Sequence, residues 1–211
     1  DMTNLTLLTE DSILNALGSR YSQQKIYSYC GTILIALNPY SLLPIYNREY
    51  VEAYSSARIR DLPPHIYALS QEAYHNLVST GKCQSMIISG ESGSGKTEST
   101  KLILEYLSSI MRTNGLSISR KIMEANIVLE SFGNAKTVRN HNSSRFGKFI
   151  KIHFDDNNVI KGATMQNYLL EKSRISKQAK NERNYHIFYQ MLLGCSKEEA
   201  EMYGLLPFED Y

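Results

Sequence analysis

Between Gly90 and Thr97 the chain reads GESGSGKT, three glycines and one lysine among small hydroxyl and acidic residues. Such a stretch buries almost no side chain and fixes its glycines at a high entropic cost, so its backbone must be the working part. Glycine tolerates positive φ, which lets successive N–H groups converge on one hollow and hold an anion. Gly90, Gly95, Lys96 and Thr97 take the fixed places of G-x-x-x-x-G-K-[ST], the spacing of a loop that cradles phosphate. The chemistry open to such a set is binding and transfer of a phosphoryl group, where positioning and charge stabilisation do almost everything.

The loop needs a strand before it and a helix after it. QSMIIS at 84–89 is a short apolar run of the kind a buried parallel strand shows. Leu102, Ile103, Tyr106, Leu107 and Ile110 then fall at helical spacing, with Asn114-Gly115 as a stop signal. Strand, glycine loop and helix in that order predict an α/β fold. Upstream, IYSYCGTILIALNPY at 26–40 reads as one long strand stopped by Asn-Pro. Pro63-Pro64 introduces a helix with a stripe of Ile66, Leu69, Ala73 and Leu77. Downstream, RTNGLSIS at 112–119 reads as a loop, and Ile122, Ala125, Leu129 and Phe132 mark another helix. In FIKIHF at 149–154 the period changes to two, DDNN follows as a turn, and VIKGATMQNYLL returns as the second strand. Asp155 ends that strand, where an acidic metal holder of a phosphate-loop enzyme can also stand; the alternation with Lys151 and His153 favours the turn. A last helix near 185–194 carries Ile187, Phe188, Met191 and Leu192 and stops at Gly194.

The whole chain, 211 residues with a net charge of +2, is long enough for a real core. No like-charge block suggests a nucleic-acid tail, and the basic run KSRISKQAKNER at 172–183 reads as a solvated loop. Cys30, Cys83 and Cys195 have no metal or disulfide spacing, which fits a reducing, cytoplasmic setting. No apolar run approaches the roughly 18 residues of a bilayer span. Asp1 rather than Met at the start, without a signal-peptide layout, reads as a piece of a longer protein. The five histidines do not cluster at metal spacing, and His186 reads as packed or capping rather than catalytic.

NHNSSRFGK at 140–148 gathers asparagines, serines and an arginine, a set that either faces a charged ligand or forms a solvated turn. With this loop the chain resembles the nucleotide-binding part of a myosin motor head, over almost its whole length. GESGSGKTE resembles the family's phosphate loop, with Ser94 where alanine is common. ESFGNAKTVRN at 130–140 leading into NSSRFGKF resembles its first switch loop, and YLLEKSRI at 168–175 and ERNYHIFYQ at 182–190 are near-verbatim family segments. Cys83-Gln84-Ser85 and Leu42 depart from residues common elsewhere in the family.

The resemblance implies a P-loop NTPase fold, a mixed central β-sheet flanked by helices, of which residues 1–211 would be part of one motor domain without tail, neck or converter. It implies an adenine-side loop at 38–46, with Asn38, Pro39 and Tyr46 around the base; a P-loop at 90–97; and switch I at 140–148. Gly90, Glu91, Ser92, Gly93, Ser94, Gly95, Lys96, Thr97 and Glu98 would hold ATP, joined by Asn140, Ser143 and Ser144. Thr97 and Ser144 would be Mg2+ ligands, Ser143 would hold the attacking water, Lys96 would neutralise β/γ oxygens, and Arg145 would make an ion pair. That pair's family partner is a glutamate in a second switch loop, whose Asp-x-x-Gly-Phe-Glu pattern these residues lack. The implied function is ATP hydrolysis in an actin-based cytoskeletal motor, with the actin filament as partner and light chains and cargo unspecified. Two rivals stay open: another P-loop ATPase or GTPase, against which stands the lack of an Asn-Lys-x-Asp motif, and a fragment that binds nucleotide without turnover because switch II is missing.

Overall fold

A computed structural model of the chain describes residues 1–58, 60–111 and 115–206. They form two compact units, Asp1–Ser119 with Phe154–Lys161, and Arg120–His153 with Gly162–Tyr211.

In the first unit, Thr9 opens helix α1 (Glu10–Tyr21) with a reciprocal cap: its hydroxyl accepts the Ser12 N–H while the Ser12 hydroxyl accepts the Thr9 N–H. The stretch expected to be one long strand is instead a hairpin, β1 (Tyr27–Cys30) and β2 (Ile33–Ala36), antiparallel with Cys30 opposite Ile33. Gly31, at φ +60, turns the chain in a two-residue loop masked by aromatic residues before it and β-branched ones after it. Asn47 caps α2 (Arg48–Ser56), another helix the apolar pattern did not reveal.

Helix α3 (Ile66–Thr80) follows the proline pair as expected, but of its forecast stripe only Ile66 is fully buried, while Leu69, Ala73 and Leu77 are half-buried. The burial sits at its first turn, on Ile66, Tyr67, Ala68 and Ser70. Helix α4 (Lys96–Ile110) packs against α3 and buries Ile103, Leu104, Tyr106, Leu107 and Ser108. Tyr67 and Tyr106 stack at 4.6 Å, and their hydroxyls donate to the Tyr46 carbonyl at 3.2 Å and to Gln71 Oε1 at 3.0 Å, so the core contact is apolar with both polar ends satisfied.

Residues 84–89 form no ladder, and Ile87 is 93% exposed. An apolar run records a preference for burial, whereas a strand also needs a partner in register, and none of the described strands supplies one. The described strands pair in three two-stranded sheets, and no central sheet forms among them.

His65 lies beneath this unit's loops, 3% exposed, with ring centroids of Tyr27, Tyr46, Tyr50, Tyr54 and Tyr67 within 5.7 Å. Its Nδ1 accepts the Tyr67 N–H at 3.1 Å, and Nε2 has no partner of normal geometry. Burial pushes its pKa down from 6.5 to about 4, with the Ile45 backbone pulling weakly the other way. The folded protein therefore binds fewer protons than the unfolded chain between those two values. Stability is fully present above pH 6.5 and is lost as pH falls toward about 4. About 2 kcal/mol should disappear between pH 7 and pH 5, and in a His65→Phe variant that loss should be absent from urea unfolding curves.

In the second unit, helix α5 (Gly115–Gly133) begins earlier than expected: Gly115 starts it rather than ending α4, and Arg112, Thr113 and Asn114 of the forecast loop lie outside the described residues. Ile122 is buried and Ala125 and Leu129 half-buried, but Phe132 is 58% exposed. Ten residues past Ile122 the helix has drifted about 80° off that face. After the short pair β3 (Asn134–Ala135) and β4 (Ser143–Ser144) comes the expected hairpin of β5 (Gly147–Phe154) and β6 (Ile160–Tyr168). Asp155 serves its turn, Oδ1 accepting the N–H groups of Asn157 and Val159 at 2.9 and 3.0 Å. Helix α6 (His186–Gly194) ends where forecast, and a capping box of Ser196 and Glu199 starts α7 (Lys197–Tyr203). No described helix is long and apolar enough to cross a membrane.

Candidate functional site

The glycine loop reaches α4 through Gly93 at φ +83 and Gly95 at φ +96, angles at which a side chain would be strained. A Cβ on Gly90 would meet Ser94 Oγ at 2.5 Å, so the Ser94 side chain would have to move if residue 90 carried one. Gly95 is the N-cap of α4 and offers no side-chain cap, so the amides of the first turn keep their positive ends for an outside acceptor. Lys96 Nζ donates to the carbonyls of Gly90 at 2.7 Å and Glu91 at 2.9 Å, folding the cation onto its own loop. Thr97 is half-buried in the first helical turn, and Glu98 pairs with Lys101 at 2.8 Å.

Asn38 ties the loop at 38–46 to the glycine loop, its Nδ2 donating to the Gly93 carbonyl at 2.8 Å. Tyr46 stands in the aromatic cluster around His65, its hydroxyl 2.8 Å from that of Tyr27 and its carbonyl accepting from the Tyr67 hydroxyl at 3.2 Å. Pro39 is half-buried, whereas Leu42 is fully exposed.

The polar loop of the second unit is built as tightly. Asn140 closes a turn on Thr137, its carbonyl accepting the Thr137 N–H at 2.8 Å and its N–H donating to Thr137 Oγ1 at 3.1 Å. Ser143 is 1% exposed, and its hydroxyl takes a bond from Arg145 Nη1 at 3.2 Å, while Ser144 is exposed. Asn142 Oδ1 accepts from Asn134 Nδ2 and from His186 Nε2, both at 3.0 Å. His186 thus packs against the loop, and its partial burial, then Arg183, lower its pKa.

Arg145 pairs here with Glu171, a residue other than the second-switch glutamate that the resemblance implies. Its Nε lies 2.6 Å from Glu171 Oε2, and the Glu171 N–H donates to the Arg145 carbonyl at 3.0 Å. The same Oε2 accepts from Arg174 Nε at 2.7 Å, and Arg174 Nη2 reaches Glu182 Oε2 at 2.8 Å. Arg174 is 4% exposed, so the run expected to be a solvated loop has a buried centre. The Arg145 hydrogen bond holds the Glu171 carboxyl below its usual range, and Arg174 does the same for Glu182.

Compared with known proteins, residues 1–211 match the family model described as myosin head (motor domain). The chain belongs to the myosin motor-head family. It is 55% identical to the myosin-I heavy chain of Dictyostelium discoideum, which it matches along 100% of its own length and 9% of that protein's. It is 51% identical to unconventional myosin-VIIb of Mus musculus, covering 99% of this chain and 10% of the other. It is also 51% identical to myosin-VIIa of Drosophila melanogaster, covering 100% and 10%. The chain therefore spans about a tenth of the length of these relatives.

The α/β class expected from the order of strand, glycine loop and helix, and the P-loop NTPase fold that the resemblance implies, are those of the myosin motor domain. Of the forecast site residues, the structure brings Asn38 onto the phosphate loop and Ser143 onto Arg145. Lys96 stands against its own backbone. Sequence reasoning missed Glu171, Arg174, Glu182 and His186 as supports of the loop at 140–148. The spacing Glu171-Lys-Ser-Arg174, which puts opposite charges on one helical turn, was the signal within reach.

Proposed function

We infer that this chain is the ATP-binding and ATP-hydrolysing portion of an actin-based motor of the cytoplasmic cytoskeleton. The observation that carries the reading is the bare-backbone loop, with uncapped helix amides and Lys96, in a chain of the myosin head family.

A triphosphate suits this cradle because its glycine backbone takes φ values of +83 and +96, the uncapped amides of α4 open from it and its cation is held by two carbonyls. On binding, Lys96 would exchange those carbonyls for β/γ oxygens, and the first-turn amides of α4 would face the phosphates. Gly90, Glu91, Ser92, Gly93, Ser94 and Gly95 shape the loop, and Glu98 follows it. Asn140 is assigned to phosphate oxygens and Ser143 to the attacking water, with Arg145 holding the Ser143 hydroxyl. Pro39 and Tyr46 border the base. The hydroxyls of Thr97 and Ser144 are hard oxygen donors of the kind magnesium takes, and a bound ion would neutralise charge on the phosphate oxygens. These role assignments rest on the family's motif.

In the full-length protein, ATP should displace a fluorescent ATP analogue at far lower concentration than GTP, and actin filaments should raise the steady-state turnover. Equal competition by GTP, with no response to actin, would favour a different P-loop enzyme.

A further inference from the structure

Asn38 opens the motif Asn38-Pro39-Tyr40, which the family pattern places beside the base, yet the structure occupies both ends of its side-chain amide with protein. Nδ2 donates to the Gly93 carbonyl at 2.8 Å, across 55 residues of sequence. Oδ1 accepts the Tyr40 N–H at 2.9 Å, and Tyr40 sits at φ +50, a conformation a non-glycine residue holds only when its surroundings impose it. The amide cannot be turned over, because a carbonyl only accepts and a backbone N–H only donates. The Asn38 backbone is itself anchored, its carbonyl accepting from the Tyr21 hydroxyl of α1 at 3.1 Å.

The bond lands where the phosphate loop is most easily deformed. Gly93, at φ +83, begins the peptide whose N–H, on Ser94, donates to the Glu91 carbonyl at 3.2 Å. Asn38 thus holds the oxygen edge of a rigid peptide plane whose nitrogen edge is held by Glu91. That plane immediately precedes Gly95 and the uncapped amides of α4. We propose that Asn38 is a positioning residue for the phosphate cradle, sustaining affinity for the triphosphate whatever base is attached, and does not read the base.

This rests on the nucleotide-binding reading above, and the test separates the two. Binding of ATP, GTP and inorganic triphosphate to the full-length protein is measured by competition with a fluorescent ATP analogue, for wild type, Asn38→Ala and Asn38→Asp. Asn38→Asp keeps an acceptor for the Tyr40 N–H but faces the Gly93 carbonyl with a second oxygen. Both variants should weaken all three ligands by a similar factor, about fivefold or more, with the ATP-to-GTP ratio unchanged. For Asn38→Asp the loss should persist at high salt, where repulsion from the added charge fades. A changed ATP-to-GTP ratio with intact triphosphate binding would overturn the proposal and make Asn38 a base contact. So would unchanged affinity in the alanine variant, or an aspartate loss that vanishes with salt. If the wild-type protein binds none of the three, it is the nucleotide reading itself that fails.

Discussion

Lys96→Ala in the full-length protein should lower ATP affinity by about a hundredfold or more and remove measurable hydrolysis. The ammonium group makes at least two bonds, and each charged hydrogen bond to phosphate contributes about 1.5–3 kcal/mol. Its present partners are the carbonyls of Gly90 and Glu91 in a loop reached by solvent, so truncation leaves no buried group unpaired. Thermal unfolding of the ligand-free variant should therefore stay near wild type, within the roughly 0.5 kcal/mol usual for surface changes. A variant that bound ATP normally would remove the cradle from the nucleotide site.

The second large effect is on the fold. Arg174→Met keeps most of the side-chain volume but takes the guanidinium from between Glu171 and Glu182, and also removes its bond to the Arg183 carbonyl at 3.0 Å. Breaking a buried ion pair from one side costs about 3–5 kcal/mol, and since Glu171 and Glu182 keep some solvent access, the lower end is expected. Urea unfolding should show the midpoint falling with an unchanged slope. The acid limb gives a second check. Both carboxyls titrate below their ordinary value in the folded protein, so the stability they contribute is complete above the unfolded pKa and is lost as pH falls through the folded one. Without Arg174 that acid-dependent loss should shrink; wild-type stability in the variant would show that the pairs contribute nothing net.

What the sequence made legible was whatever is local. GESGSGKT announced a phosphate loop because spacing and backbone freedom are properties of eight consecutive residues, and the β5–β6 hairpin showed itself by period and turn composition. The order of glycine loop and helix held, with Tyr106 and Leu107 buried where periodicity put them. Long-range pairing was not legible. The run at 84–89 looked like a strand, but a ladder is a property of two segments, and its neighbour cannot be read from one. The caps at Thr9, Asn47 and Ser196 were present in the sequence as polar residues, but the helices they open bury at most one residue each, so no long apolar stripe marked them. In the loop at 140–148 the residue types left a ligand-facing set and a solvated turn both open, while the supports behind them come from 171–186 and became visible only once folded. The gathering of five tyrosines from 27 to 67 around His65 is likewise a property of the folded chain, since no local pattern announces it.

Glu171 faces two guanidinium groups with one carboxylate, and the two are not equally dependent on it. Arg174 keeps Glu182 and the Arg183 carbonyl whatever else happens, whereas Arg145 has Glu171 and the Ser143 hydroxyl. Should Arg145 swing away, the carboxylate stays neutralised by its remaining partner and no buried charge is stranded. The arrangement behaves as a latch with a fixed jaw and a free tongue: the interior stays bolted, and moving the outer arginine costs its pair with Glu171 and its bond to the Ser143 hydroxyl.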